Sequence, residues 1–129
     1  MIIDSSAIIA SVYGEPHGDL IGQLIGEAEV CRIGAPTLVE TTMVLVGREG
    51  LDGSSLLASF LQQRNFDIVS FSDAHWRVAQ SAFVRYGNGR HPAALNFGDC
   101  LTYAVAAVAG EPLLCVGNDF VQTDLKLAL

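Results

Sequence analysis

MIIDSSAIIASVYG, residues 1–14, opens the chain with a strand that runs directly into a helix. Met1-Ile2-Ile3 is a short apolar run cut off by Asp4-Ser5-Ser6, residue types that cap helices. Ala7 to Val12 then form a helix that Gly14 ends. Asp4 stands at the junction, and in open α/β sheets ligands bind in the space beyond the carboxyl ends of the strands. Taken alone, the same residue reads first as an ordinary N-cap.

The alternation begun here continues along the chain. Pro16 to Glu29 carries Leu20, Leu24 and Ile25 at helical spacing, Val30 to Gly34 is a strand or bridge, and Pro36 opens a helix reaching Arg48. Gly50, Asp52 and Gly53 mark a loop before an amphipathic helix at Ser54 to Arg64. A strand at Asp67 to Phe71 precedes Ser72-Asp73, which caps a helix from about Ala74 to Tyr86. Gly87 to Pro92 form a turn-rich loop, and Asp99 to Ala109 a nearly all-apolar, buried helix stopped by Gly110. Leu113 to Val116 read as a buried strand, and Asp124 to Leu127 alternate as a short terminal strand. Helices alternating with short apolar strands predict one domain over residues 1–129, a three-layer α/β/α sandwich around a mostly parallel sheet.

Half of the 129 residues are apolar and 16% are charged, enough for a packed core and too little polarity for disorder. Seven basic against 14 acidic residues give a net charge of -7, which opposes loose, charge-driven binding to nucleic acid. Carboxylate-held metal ions would reverse the local sign. Arg64, Arg77, Arg85 and Arg90, all in one middle segment, allow a basic rim around an acidic pocket. Cys31, Cys100 and Cys115 are widely spaced among apolar residues and read as reduced core cysteines. With a charge at position four, no basic leader and no membrane-length apolar run, the expected location is cytoplasmic.

Each acid has a plain reading and a chemical one. Helical spacing puts Glu40 on a stripe with Pro36, Met43, Val44 and Gly47, where an unpaired carboxylate is expensive. Solvent, a buried arginine, a metal or a protonated neighbour would relieve it. Asp99 lies in the first turn of a charge-free helix, where the helix dipole alone suffices. Asp119 and Asp124 follow a buried strand, where turn chemistry is sufficient. The predicted fold nevertheless gathers these strand ends and helix starts at one rim, and like charges there repel. Divalent cations are the natural remedy. Magnesium accepts a few carboxylates plus water, whereas histidine and cysteine are too scattered for zinc. Such a site activates water for phosphodiester hydrolysis. His75 reads as packing or surface.

Four segments carry a resemblance to a known family: MIIDSSAIIA at the start, APTLVETTMVL around Glu40, GRHPAALNFGDCLTYAVA around Asp99 and PLLCVGNDF near the end. The chain resembles the PIN-domain toxins of bacterial VapBC toxin–antitoxin pairs over essentially its whole length. The resemblance implies a PIN-like α/β/α sandwich and magnesium-dependent endoribonuclease activity on RNA, manganese being the possible substitute. It matches Asp4, Glu40, Asp99 and Asp119 to the family's acidic, metal-holding positions, Asp4 and Asp99 being the principal pair and Asp124 a competing fourth acid. It further implies a homodimer and a cognate antitoxin whose segment silences the site, often through an arginine. The apolar residues Leu56, Leu57, Phe60 and Leu61 exceed what one small core needs and offer an interaction surface; ordinary core packing explains them equally. Arg90 and His91, in the loop before Asp99, are candidates for phosphate contacts.

The rival classes are a non-catalytic binding module, with the acids as caps, and a phosphatase or receiver-type α/β domain. A haloacid-dehalogenase-type phosphatase wants D-x-D where Asp4 is followed by Ser5-Ser6. A receiver wants a lysine after its last strands, and the only lysine is Lys126. No phosphate-binding glycine loop and no G-x-S-x-G elbow are present.

Overall fold

In the computed structural model, which describes residues 1–129, Ile2 and Ile3 point to opposite faces of a sheet. Successive strand residues must do so, and because both faces are apolar here the strand is buried on both sides. The strand β1 (Ile2–Ile3) leads into α1 (Ser5–Tyr13), and α2 (Gly18–Glu27), β2 (Cys31–Gly34), α3 (Ala35–Glu49), α4 (Asp52–Leu61), β3 (Phe66–Val69), α5 (Asp73–Tyr86), α6 (Phe97–Ala109) and β4 (Leu113–Leu114) follow. All strand pairs are parallel, in the order β3-β2-β1-β4. The expected three-layer sandwich is present.

One core lies between the sheet and α5–α6, from Ile2, Tyr86, Leu95, Tyr103, Val105, Leu113 and Phe120 among others. The other lies beneath α1–α4, around Ile3, Ile8, Ile21, Ile33, Phe60 and Leu114. The chain winds outward from β1 to β2 and β3 and then crosses back to place β4 on the other side of β1. The carboxyl end of β1 is thus the point where winding reverses, which is where such sheets open a crevice.

Three sequence expectations are corrected. Asp52 and Gly53 lie inside α4 rather than in a loop, because α3 and α4 pack so closely that a Cβ at Gly53 would overlap the Leu45 carbonyl. The glycine serves approach, not turning. Leu57 and Phe60 are buried and Leu56 and Leu61 pack on the same core, so this helix offers no spare apolar surface. Exposed apolar residues are found elsewhere, among them Leu51 just before this helix and Val39, Met43, Trp76, Phe83 and Phe97. The tail around Asp124 to Leu127 forms one bridge, Leu127 to Leu113, rather than a strand. No helix is long and apolar enough to cross a membrane. Cys31, Cys100 and Cys115 are free thiols in the core, and His75 is buried, taking the Ser72 amide on Nδ1 (3.0 Å) beside the Phe71 ring.

Candidate active site

Asp4 is delivered to the reversal point by β1, its own amide donating to the Leu114 carbonyl across the sheet (2.9 Å). Only 7% of it is exposed. Its Oδ2 accepts from the Ser6 amide (3.1 Å) and the Ser6 hydroxyl (2.6 Å), and its Oδ1 from the Thr102 hydroxyl (3.0 Å). The N-cap reading is therefore correct and incomplete. Thr102 on α6 and Thr37 on α3 stand 3.5 Å apart, while the Ser6 hydroxyl also accepts the Val116 amide (2.9 Å). This chain of hydroxyls fixes Asp4 between four elements. A carboxylate offers about four lone-pair sites, so three accepted bonds leave Asp4 about one for a ligand.

Glu40 projects from the second turn of α3, and its Oε1 accepts the Ser5 hydroxyl (2.6 Å). The expected apolar stripe exists: Pro36, Met43 and Val44 line a groove of about 530 Å³ together with Glu40, Phe97, Leu101 and Thr102. The groove is open, with Met43 71% exposed, so Glu40 is only half-buried and needs no arginine or protonated neighbour. A neutral hydroxyl and water suffice. Its Oε2 approaches the α6 backbone so closely that a Cβ on Gly98 would overlap it.

Asp99 occupies the third position of α6, where the Asn96 amide donates to its Oδ2 (3.0 Å) and Asn96 Oδ1 accepts the Asp99 amide (2.9 Å). This reciprocal cap fixes the carboxylate and leaves Oδ1 free. Burial pushes its pKa up to about 6; repulsion from Asp119, Asp4 and Glu40 adds to the rise, and the Asn96 amide opposes it. Four acids from four segments thus share one electrostatic neighbourhood. Cys115 beneath them feels the same field, its thiol pushed up to about 12 by burial first and then by Asp4, Asp119 and Asp99.

Asp119 is exposed on the segment after β4, next to the buried anchor Phe120. Asp124 lies apart from the field that those four acids share: it accepts the Tyr103 hydroxyl (2.5 Å) and pairs with Arg85 (3.5 Å). The basic rim does not form. Arg64 donates to the carbonyls of Ile25, Ala28 and Glu29 at the end of α2, Arg77 pairs with Asp73 and Arg85 with Asp124. Arg90 is exposed and leans on the Val84 carbonyl (3.2 Å), and His91 takes the Ala93 amide on Nδ1 (3.0 Å) beside the Tyr86 ring. Neither forms an ion pair with the acids.

Sequence reasoning missed Thr102, Thr37 and Gly98. Thr102 was legible in part, since three residues after Asp99 it must share that residue's helix face. The donor set suits a hard cation: oxygen ligands alone, no basic residue among them, and a free oxygen on Asp99 and on Glu40. No three of the acids converge tightly enough to enclose an ion by themselves.

Residues 1–126 match the PIN domain family model. The chain is 45% identical to ribonuclease VapC36 of Mycobacterium tuberculosis, over 98% of this chain and 91% of that protein. It is 36% identical to ribonuclease VapC of Mycolicibacterium smegmatis over 97% of each. Among solved structures, VapC20 of Mycobacterium tuberculosis, a sarcin-ricin loop cleaving toxin, superposes with a TM-score of 0.78 at 19% identity, covering 96% of this chain and 95% of that one. VapBC2 of Rickettsia felis, bound to a promoter DNA fragment, gives 0.78 at 14% identity, over 98% and 95%. At those identities the two structures speak for the fold, while the relatives aligned along almost their full length place this chain in the PIN-domain family, among its VapC ribonucleases.

Proposed function

We propose that this chain is a magnesium-dependent endoribonuclease, the toxin of a toxin–antitoxin pair, acting through Asp4, Asp99, Glu40 and Asp119. The observation that carries the reading is the shared field at Asp99: burial first and then three further carboxylates push its pKa up, and no basic side chain relieves them. Asp4 and Asp99 are the principal cation holders, each pre-oriented by hydrogen bonds that leave ligand capacity. When bound, magnesium would polarise a phosphodiester and lower the pKa of its water. Glu40 Oε2, with Oε1 held by Ser5, is the oxygen free to take a proton from the attacking water. Arg90, exposed and without an acid partner, is the phosphate contact, and His91 holds its loop.

The test is cleavage of RNA by the purified chain, freed of any partner. Activity is expected in magnesium, slower or altered with manganese, and abolished by EDTA. RNA cleaved equally well in EDTA would sink the metal reading. The pH dependence follows from Asp99. A proton held up to about pH 6 competes with the cation, so added magnesium should raise the melting temperature more at pH 7.5 than at pH 5. An equal rise at both values would show that Asp99 does not ligate it.

We also propose a homodimer and an antitoxin whose segment sets an arginine against the acid rim. Phe97 is 80% exposed and, with Leu101, joins the α3–α6 groove to a second apolar hollow formed by Phe71, Trp76, Ala79 and Phe83. A continuous apolar face of this kind suits a second copy. Phe97→Asp should convert a dimer to a monomer in light scattering; an unchanged mass would place the interface elsewhere.

A further inference from the structure

Residues 117–124 carry Asp119 between β4 and the tail without belonging to any strand or helix. Their backbone makes only two hydrogen bonds to other backbone, both internal: Val121 to the Asn118 carbonyl (3.4 Å) and Thr123 to the Phe120 carbonyl (3.1 Å). The place of Asp119 therefore depends on side chains. Phe120, 1% exposed, enters the core that holds Tyr86 and Tyr103. At the far end of the segment, Asp124 takes the Tyr103 hydroxyl on Oδ1 (2.5 Å) and faces Arg85 Nη2 from Oδ2 (3.5 Å). Arg85 is itself fixed, stacked 4.7 Å over the Tyr86 ring and donating to its hydroxyl (2.8 Å).

Tyr103 stands four residues after Asp99, one turn along the same helix. We infer that Tyr103, Asp124 and Arg85 form a clamp through which the helix presenting Asp99 also holds the loop presenting Asp119, making all three positioning residues of the nuclease. This rests on the ribonuclease reading above. A buried phenol needs an acceptor, and Asp124 is its only protein partner. The bond is durable across ordinary pH. The Tyr103 hydroxyl, with Arg85 behind it, holds Asp124 below the usual carboxylate range, while burial and then Asp124 push the phenol up to about 12. Releasing it frees the loop without touching any of the four acids, and small displacements of a catalytic group cost disproportionate rate.

Tyr103→Phe removes the donor hydroxyl, and Asp124→Ala the oxygens that accept it and face Arg85. In each variant, amide exchange across residues 117–123 should speed roughly tenfold while β1 and α6 are unchanged. The kcat for RNA should fall roughly tenfold with KM within about twofold, and calorimetric titration with magnesium alone should show weaker binding. The decisive measurement is a double-mutant cycle: in an Asp119→Asn background, Asp124→Ala should cause no further loss. Multiplying losses, unchanged exchange, or an Asp119→Asn protein as active as the parent would each overturn the clamp. A parent protein that cleaves no RNA would sink the nuclease reading instead, and exchange and magnesium titration would still decide whether the clamp holds the loop.

Discussion

Asp99→Asn is expected to lower RNA cleavage on the order of a thousandfold, about 4 kcal/mol of transition-state stabilisation, while leaving the fold intact or firmer. The substitution is nearly isosteric. Asparagine keeps an oxygen to accept the Asn96 amide, so the reciprocal cap on α6 survives. What disappears is the charge that a cation needs and that the folded protein alone finds costly. The carboxyl's pKa is about 6 in the fold against about 3.9 in an unfolded chain. Below about pH 4 both states hold the proton and nothing is lost. Between about pH 4 and 6 the folded state holds more protons than the unfolded one, so stability declines as pH rises, and above about 6 the full cost is present. Two pKa units would be about 3 kcal/mol, and partial solvent access reduces that to roughly 1 to 2 kcal/mol. In EDTA at pH 7.5 the variant should therefore melt a few degrees higher than the parent, and at pH 4 the two should coincide. Added magnesium should reverse the order by stabilising only the parent. Cleavage retained by the variant would remove Asp99 from the site, and a lower melting temperature in EDTA would show that the carboxylates are not mutually strained.

The frame of this protein was legible because it depends on local pattern. Apolar strand, cap and helix follow one another at residues 1–13, and the continued alternation of helices with short strands reads as a mostly parallel sheet. Asp4 and Asp99 were visible as caps for the same reason, and the bonds that satisfy α1 and α6 are also those that orient their carboxylates. Distance in sequence hid the rest. Ser5 reaches Glu40 across 35 residues and Thr102 reaches Asp4 across 98, and no periodicity encodes such pairs. Gly53 looked like turn punctuation because composition does not distinguish a glycine that turns from one that admits a neighbouring helix. The apolar residues of α4 looked surplus because the second core beneath the sheet was not yet counted.

Gly98 offers the sharpest test of how the acids are brought together, because it acts by absence. Nothing in NFGD marks it as functional, and helix propensity alone would favour alanine there by roughly 1 kcal/mol. A methyl group at this position, however, falls on Oε2 of Glu40. Glu40 is held from the other side by Ser5 and borders an open groove, so it can yield by rotating outward, giving up the Ser5 bond and its place beside Asp99. Gly98→Ala should therefore fold normally, melt within a few degrees of the parent and lose roughly a hundredfold in kcat, since a misplacement of about 1 Å is enough for that. Repulsion at Asp99 would also fall by one of its three carboxylate neighbours, so the pH at which magnesium begins to stabilise the protein should move down. The pairing of effects is diagnostic. If Glu40→Gln and Gly98→Ala each cost rate but the double variant costs no more than Glu40→Gln alone, the glycine works through Glu40; independent losses would instead mean that the methyl group distorts α6 and Asp99 with it.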